Sequence, residues 1–246
     1  MRPRTVAAVL ASALLLAACG GDPAETAEPT GAAAADPTNQ PAEPPAEETE
    51  TSEAPAETSA PAEPSAELLL ELPDEAMLAP DALEPVGLER GEVDGPGRWW
   101  FSSACGIEPS EGVVAMRTVS QGRYESPEPV GTQQVAVFET VDDAVAEADR
   151  LGAQMEACTT DPPAESGSYR LEEVTVGAQG RGLANNYAAL GDDAEGTYSA
   201  VTRRGNAVTV VTLLSGASSV GEAREMVTSS LGRAFDTLCL YDSAGC

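Results

Sequence analysis

The sequence contains neither histidine nor lysine in its 246 residues. Without histidine, the chain cannot form Ser-His-Asp or Cys-His catalytic groups, or the common His-ligated zinc sites. Without lysine, it lacks the phosphate-loop lysine, the kinase lysine, a Schiff-base lysine and a Ser-Lys dyad. The catalytic chemistry that remains depends on carboxylates: a glycosidase pair, an aspartic dyad or a carboxylate-bound hard cation.

Positive charge is also scarce, because 13 arginines face 41 aspartates and glutamates and leave a net charge of −28. A nucleic-acid-binding protein needs a basic surface, so this class is excluded. Adhesion to anionic lipid headgroups is disfavoured for the same reason. The charge favours solubility and does not identify a partner.

Two acidic clusters could carry carboxylate chemistry. Asp142 and Asp143 lie where a helix is predicted to begin, so they complement the helix dipole. Asp192, Asp193 and Glu195 lack calcium-loop spacing and follow Gly191, which favours a solvated turn. We therefore expect no catalytic residue, no metal site and no cofactor, and predict that the protein is not an enzyme.

The amino terminus predicts an anchor. Arg2 and Arg4 precede a short apolar run, and Leu16-Ala17-Ala18-Cys19 resembles a bacterial lipobox. The resemblance implies a signal peptide over residues 1–18, cleavage before Cys19, and a diacylglycerol on its sulfur. The protein would then lie at the cell membrane on its extracytoplasmic face. The alternative is an ordinary secretory signal with a chance cysteine.

Residues 19–66 predict a disordered linker. From Asp22 to Ala66 the chain contains no aromatic residue and no Val, Ile, Leu or Met, so it cannot form a core. Its prolines and acids favour an extended chain of up to roughly 100 Å. We interpret it as a spacer through the cell wall, although it could be a tail without a length-dependent role. Its Thr/Ser-Pro composition is also typical of O-glycosylated stalks.

Residues 67–246 are long enough for one domain with a single core. After Cys19, the four cysteines of an exported domain predict two disulfides. We favour Cys105–Cys158 with Cys239–Cys246, because the second pair closes a short loop at the chain end. Pairing of Cys158 with Cys239 remains an alternative. No Cys-x-x-Cys spacing favours a metal or redox site.

Hydrophobic patterns predict strands, two long helices and a hairpin. Thr140 is expected to cap a helix ending near Cys158, and Ser219 and Glu222 predict a capping box before a helix ending at Cys239. Gly205-Asn206 predicts a two-residue turn. The predicted strands are residues 113–119, 130–138, 169–176, 183–190, 197–204 and 207–214. Since most strand connections are short, we predict an α+β fold: an antiparallel sheet with helices on one face.

The chain resembles the extracellular sensor domain of actinobacterial receptor Ser/Thr kinases of the PknH type, which also occurs on lipoproteins. The resemblance covers most of residues 67–239. It is carried by Trp99-Trp100 leading to Cys105-Gly106, Val135-Ala136-Val137-Phe138 before the Thr140 helix, Cys158, the hairpin around Arg204-Gly205-Asn206, and Cys239. It implies an antiparallel sheet packed by helices, a cleft and two disulfides. The family pattern has a further mid-domain cysteine, for which Cys246 is the substitute here.

These observations predict a lipid-anchored extracytoplasmic binding or sensor module. The partner would be a small molecule, a lipid or an envelope protein outside the cell. Trp99 and Trp100 could be core anchors, or one of them could line a cleft. The candidate ligand-binding residues are Trp99, Trp100, Asn185, Asn186, Tyr187 and Arg203. The alternatives are an accessory lipoprotein that docks on a membrane partner and a carboxylate-dependent hydrolase of cell-wall glycans.

Overall fold

The fold is taken from a computed structural model that describes residues 67–83, 89–101, 105–109, 111–122, 130–162, 167–188, 190–214 and 218–246. The chain divides into two units, residues 1–60 and 61–246, and every described residue belongs to the second. The predicted signal peptide, Cys19 and the linker over residues 19–66 lie outside the described residues.

Seven strands form one antiparallel sheet in the order β1-β2-β3-β7-β6-β5-β4. The central strands β3, β7 and β6 are buried over nearly their whole length, so both faces of the sheet are covered. The strands are β1 (Arg90–Asp94), β2 (Val113–Gln121), β3 (Val130–Phe138), β4 (Ser168–Glu173), β5 (Ala178–Asn186), β6 (Gly196–Arg204) and β7 (Ala207–Leu214).

Two long helices complete the fold, α1 (Val141–Thr160) and α2 (Val220–Thr237), with short 3-10 helices at Asp74–Ala76 and Leu238–Tyr241. The Asp143 amide donates to the Thr140 hydroxyl at the start of α1, as predicted. The predicted capping box of Ser219 and Glu222 is confirmed at the start of α2. Neither helix of the described part is long and apolar enough to cross a membrane.

The helices lie on opposite faces of the sheet, which corrects the prediction that they share one face. Val201 and Val210 pack with α1, whereas Ala200 and Val211 pack with α2. Because neighbouring residues of a strand point to opposite faces, these pairs separate the two layers. The error has a physical reason: strands buried on both faces lose the polar-apolar alternation that identifies a solvent-facing side.

The α+β class, the antiparallel sheet and both disulfides, Cys105–Cys158 and Cys239–Cys246, are confirmed. The first disulfide is buried in the layer of α1, and Cys246 of the second is exposed.

Strand β5 begins five residues earlier than the predicted strand of residues 183–190, because its first half is rich in glycine. A Cβ at Gly182 would lie 2.0 Å from the Tyr198 hydroxyl oxygen, so the packing requires glycine there. Strand β1, which is mostly exposed and charged, was not predicted.

The turn between β6 and β7 joins the sheet to the chain end. Gly205 has a φ of +55°, and a Cβ there would lie 1.7 Å from the Tyr241 carbonyl oxygen. Asn206 donates to the carbonyl oxygens of Leu69 at 3.0 Å and Phe138 at 2.8 Å. The predicted two-residue turn therefore also fixes both ends of the domain.

Candidate ligand-binding site

Four polar side chains lie together on the α1 face, beside the area covered by apolar residues. Asn185 of β5 is opposite Thr197 of β6, and Ser199 and Thr132 both lie opposite Thr212 of β7. Neighbouring strands are about 4.8 Å apart and alternate residues about 7 Å, so the register places Asn185, Thr197 and Ser199 within roughly 8 Å of one another. Thr132 lies two strands from Ser199, which corresponds to about 10 Å. We call Thr132, Asn185, Thr197 and Ser199 the polar floor.

Each residue of the polar floor is at most 3% exposed, yet each has a polar atom without a hydrogen-bond partner. The atoms are the hydroxyl oxygens of Thr132, Thr197 and Ser199 and the carbonyl oxygen of the Asn185 amide. A buried polar group left unpaired costs about 1–3 kcal/mol, and native proteins contain few of them. Four such atoms on one face make the polar floor the candidate ligand-binding site.

Trp100 lies at the border of the polar floor. Its amide donates to Oε1 of Gln134 at 2.7 Å, and its carbonyl oxygen accepts from the Thr212 hydroxyl at 2.6 Å. Gln134 also donates to the Arg98 carbonyl oxygen at 2.7 Å, which fixes the chain on both sides of Trp99. Side chains of the sheet thus hold the main chain of Trp100 directly against this face, with its indole half-buried.

Trp99 is an anchor of the core. Its indole is fully buried, and its Nε1–H donates to Oε1 of Glu147 at 2.8 Å. Arg150 donates to both oxygens of Glu147, at 2.7 and 2.8 Å, and this hydrogen bonding raises the pKa of the Arg150 guanidinium. Trp99 therefore fixes α1 to the segment that carries Trp100.

Asn185 is oriented from the edge of the sheet. Its Nδ2 donates to the Tyr169 hydroxyl oxygen at 3.4 Å, and Tyr169 is the residue opposite it on β4. The carbonyl oxygen of the same amide has no hydrogen-bond partner.

The other predicted site residues lie apart from the polar floor. Asn186 points to the opposite face, where its Nδ2 donates to the Gly191 carbonyl oxygen at 2.9 Å. Tyr187 is 39% exposed and lines a groove of about 250 Å³ with Asn186 and Leu190. Arg203 is six residues from Thr197 along β6, which corresponds to about 20 Å. The six candidate residues therefore do not form one cleft, and their role in binding stays a prediction.

Sequence analysis missed Thr132, Thr197 and Ser199. The available signal was Thr197 and Ser199 at alternate positions of a strand whose other face carries Tyr198 and Ala200. Alternation of this kind usually marks a solvent-exposed face, and only the register shows that these hydroxyls are buried together.

A network of ion pairs occupies the other face, at the edge of the sheet. Arg224 of α2 donates to both oxygens of Glu172 at 2.8 Å and to both oxygens of Asp192 at 2.9 Å. Arg170 also pairs with Glu172 and Asp192. The loop acid Asp192, predicted to lie in a solvated turn, is thus part of a network that connects α2 to β4.

The electrostatics of this network follow from its geometry. Hydrogen bonds from Arg224 and Arg170 lower the pKa of Asp192 to about 2. Burial alone would raise the pKa of Glu172, but hydrogen bonds from the two arginines outweigh it and lower that pKa. Burial raises the pKa of Tyr198, which donates to Glu172 at 3.1 Å. Because every member has a partner, we interpret the network as structural.

Across the described ranges, no three Cys, Asp or Glu side chains lie close enough together to hold a metal ion.

No protein-family model matches the chain, and no curated protein matches it significantly. Among solved structures, the chain is similar to the extracellular domain of PknH from Mycobacterium tuberculosis. The identity is 12%, the TM-score is 0.44, and the match covers 68% of this chain and 93% of that one.

Proposed function

We propose that the protein is a lipid-anchored extracytoplasmic binding module that holds a small uncharged ligand on the polar floor. The observation that carries the proposal is the group of four buried polar atoms without partners on one face of the sheet. A ligand that fills their hydrogen bonds would remove a penalty of about 1–3 kcal/mol for each atom.

The chemistry of the polar floor favours a neutral ligand. Its side chains are three hydroxyls and one amide, none of which carries a charge. Hydroxyls both donate and accept hydrogen bonds, so they complement ligand hydroxyl or amide groups. A folded region with thirty acids and eleven arginines also repels free anions.

The anchor and the location are part of the proposal and depend on the sequence. The Leu16-Ala17-Ala18-Cys19 motif supports lipidation of Cys19. The acidic, proline-rich residues that follow support a spacer that keeps the binding domain away from the membrane.

The proposal also holds that the protein is not catalytic. The absence of histidine and lysine removes most catalytic groups. Among the described residues, Glu147 is the one buried acid, and Trp99 and Arg150 already engage it. We expect no release of reducing ends when the protein is incubated with cell-wall glycans.

Native mass spectrometry of the full mature chain, exported, oxidised and released in detergent, tests the binding. We expect a reproducible added mass above that of the lipidated polypeptide, and its loss in the double variant Thr197→Val/Ser199→Ala. The control is Thr209→Val, since the Thr209 hydroxyl is buried on the other face and already donates to the Gln134 carbonyl oxygen.

The control variant should retain the added mass. A bare polypeptide mass for the wild-type chain, or an added mass that persists in the double variant, would contradict binding at the polar floor. The first of these results would favour the alternative of an accessory lipoprotein that docks on a membrane partner.

A further inference from the structure

A second cavity lies between α1 and strands β4 and β5, and it shares no residue with the polar floor. Its volume is about 230 Å³. We call it the α1 groove. It is lined by Ala148, Asp149, Gly152, Ala153, Glu156, Leu171, Gln179 and Arg181. Charged and amide side chains therefore face one another across it: two acids from the helix, and an arginine and a glutamine from the sheet.

Arg181 has unused hydrogen-bonding capacity. Its guanidinium donates to the Gly180 carbonyl oxygen at 3.0 Å, and no carboxylate of the described residues lies within ion-pair distance. By contrast, Arg117, Arg150 and Arg224 each pair with at least one acid. A guanidinium has five N–H donors in a planar fork that matches a carboxylate, so Arg181 can bind one in a bidentate way.

The opposite wall carries the acids. Asp149 and Glu156 are exposed and separated by seven residues of α1, which corresponds to about 10.5 Å along the helix axis. One oxygen of Asp149 accepts from Nε2 of Gln179 at 2.5 Å. The second Asp149 oxygen and the Glu156 carboxylate are available to a cation, but neither acid reaches Arg181.

The rim of the α1 groove is held in a fixed shape. Gln179 has a φ of +59°, the one positive value among the described residues other than glycine. Its Oε1 accepts from Nε of Arg203 at 2.8 Å, and its Nε2 also donates to the Val145 carbonyl oxygen at 3.2 Å. Arg203, a predicted binding residue, therefore positions the rim through Gln179.

We infer that the α1 groove binds the zwitterion of a free α-amino acid, with its carboxylate on Arg181 and its ammonium group at Asp149 or Glu156, which lie too far apart along α1 to share it. A zwitterion has no net charge, so the acidic domain does not repel it. The volume is below the roughly 300–1,000 Å³ of pockets for drug-sized molecules, which suits so small a ligand. This inference is independent of the ligand at the polar floor.

The test is titration of the full mature chain with each of the twenty common L-amino acids up to 20 mM, followed by NMR of the backbone amides. We expect saturable shifts at Gly152, Gln179 and Arg181 with at least one amino acid. The methyl ester of that amino acid lacks the carboxylate and its N-acetyl derivative lacks the ammonium group, so neither should bind. Absence of saturable shifts with all twenty, or equal binding of either derivative, would overturn the inference.

Two variants localise the effect. Arg181→Gln should weaken binding at least tenfold, whereas Arg98→Gln, which removes an exposed ion pair with Glu108, should leave it unchanged. Gly152→Leu should abolish binding by filling the α1 groove. A Cβ at Gly152 would lie at an ordinary 3.6 Å from Cγ of Arg181, so the backbone accommodates a β-carbon at this position.

Unfolding of each variant by urea verifies that it remains folded, and a folded Arg181→Gln variant with wild-type affinity would also overturn the inference. The added mass proposed for the polar floor should persist in Arg181→Gln, so failure at one site is distinguishable from failure at the other.

Discussion

The two faces of the sheet treat buried hydroxyl groups differently. On the α2 face, the Thr209 hydroxyl donates to the Gln134 carbonyl oxygen at 3.0 Å, and the Thr202 hydroxyl to that of Val176 at 2.6 Å. On the α1 face, the Thr212 hydroxyl donates to the Trp100 carbonyl oxygen at 2.6 Å, but the hydroxyls of Thr132, Thr197 and Ser199 have no partner. Residue type and depth of burial are similar, so the difference lies in the groups that surround each hydroxyl.

Amide side chains of both faces bond to covering segments, because Gln134 of the α1 face holds the main chain of Arg98 and Trp100. On the α2 face, Gln133 leaves its Nε2 without a partner, but its Oε1 accepts from the Leu78 amide at 2.7 Å. Such a residue connects the sheet to the segment that covers it. The polar floor has no comparable bonds to a covering segment among the described residues, and this is the feature on which the proposed ligand site depends.

Removal of each disulfide is expected to have the largest effect on stability, and the two disulfides lie on different faces of the sheet. Cys105–Cys158 joins residues 53 positions apart and lies in the α1 layer, whereas Cys239–Cys246 joins residues 7 positions apart beside the α2 layer. Loop-closure entropy predicts losses of about 4 kcal/mol for Cys105→Ala/Cys158→Ala and about 2.4 kcal/mol for Cys239→Ala/Cys246→Ala. Urea unfolding of the oxidised proteins measures both.

The same pair of variants tests whether the α1 face needs its disulfide to keep its shape. Ligand binding at the polar floor should weaken when Cys105–Cys158 is removed and persist when Cys239–Cys246 is removed. Loss of binding in the second variant alone would contradict the role of Cys105–Cys158 in shaping the α1 face. Equal losses of stability would contradict the loop-closure argument.

Local sequence signals predicted most of the fold. Helix α1 begins after Thr140 as expected, because capping depends on residues three apart in the chain. Strands β3 and β7 have the predicted bounds, since their sequences are rich in β-branched residues, which favour strands. The placement of the helices on two faces was not predictable in the same way, because strands buried on both sides carry no periodicity that distinguishes the faces.

The candidate site was much less predictable. Asn185 was selected as part of the Asn185-Asn186-Tyr187 sequence, but the pleat of β5 sends Asn185 and Asn186 to opposite faces. Thr132 and Ser199 are 67 positions apart in the chain and meet only through Thr212 of the strand between them. Sites assembled by register across three strands have no local motif, so a single sequence does not reveal them.

The ion-pair network on the α2 face predicts an intermediate effect. Arg224→Met removes charged hydrogen bonds to Glu172 and Asp192 and should cost on the order of 2 kcal/mol at neutral pH. Stability measured by urea unfolding should fall by this amount, while binding at the polar floor on the other face should be unchanged. Loss of binding in this variant would show that the two faces are coupled.

The network also predicts how stability depends on pH. The folded pKa of Asp192 is about 2, below its ordinary 3.8, so its contribution is present above pH 3.8 and is lost as the pH falls toward 2. The lowered pKa of Glu172 acts in the same direction. Wild-type stability should therefore decline more steeply than that of Arg224→Met between about pH 4 and 2. Parallel curves would contradict the ion pairing, and high salt should weaken it because Asp192 is exposed.

The smallest expected changes in stability come from replacing one buried threonine on each face, and they compare the two faces most directly. In ligand-free protein, Thr197→Val replaces a buried hydroxyl without a partner by a methyl group, so stability should stay the same or rise by up to about 1 kcal/mol. Thr209→Val removes a hydroxyl that has a partner, so stability should fall by about 1 kcal/mol. Urea unfolding of both variants shows whether each stability rises or falls relative to wild type. The ligand is removed first, and its absence is verified by mass.

Both substitutions are the same chemical change at sites that are at most 3% exposed on neighbouring strands, so packing differences largely cancel. If the ligand is then added back, the order of the stabilities of the two variants should change, because only wild type and Thr209→Val gain stability from binding. Equal destabilisation of both variants in the ligand-free state would mean that the Thr197 hydroxyl is already satisfied within the protein. The polar floor would then be an ordinary part of the core, and the contrast between the two faces would disappear.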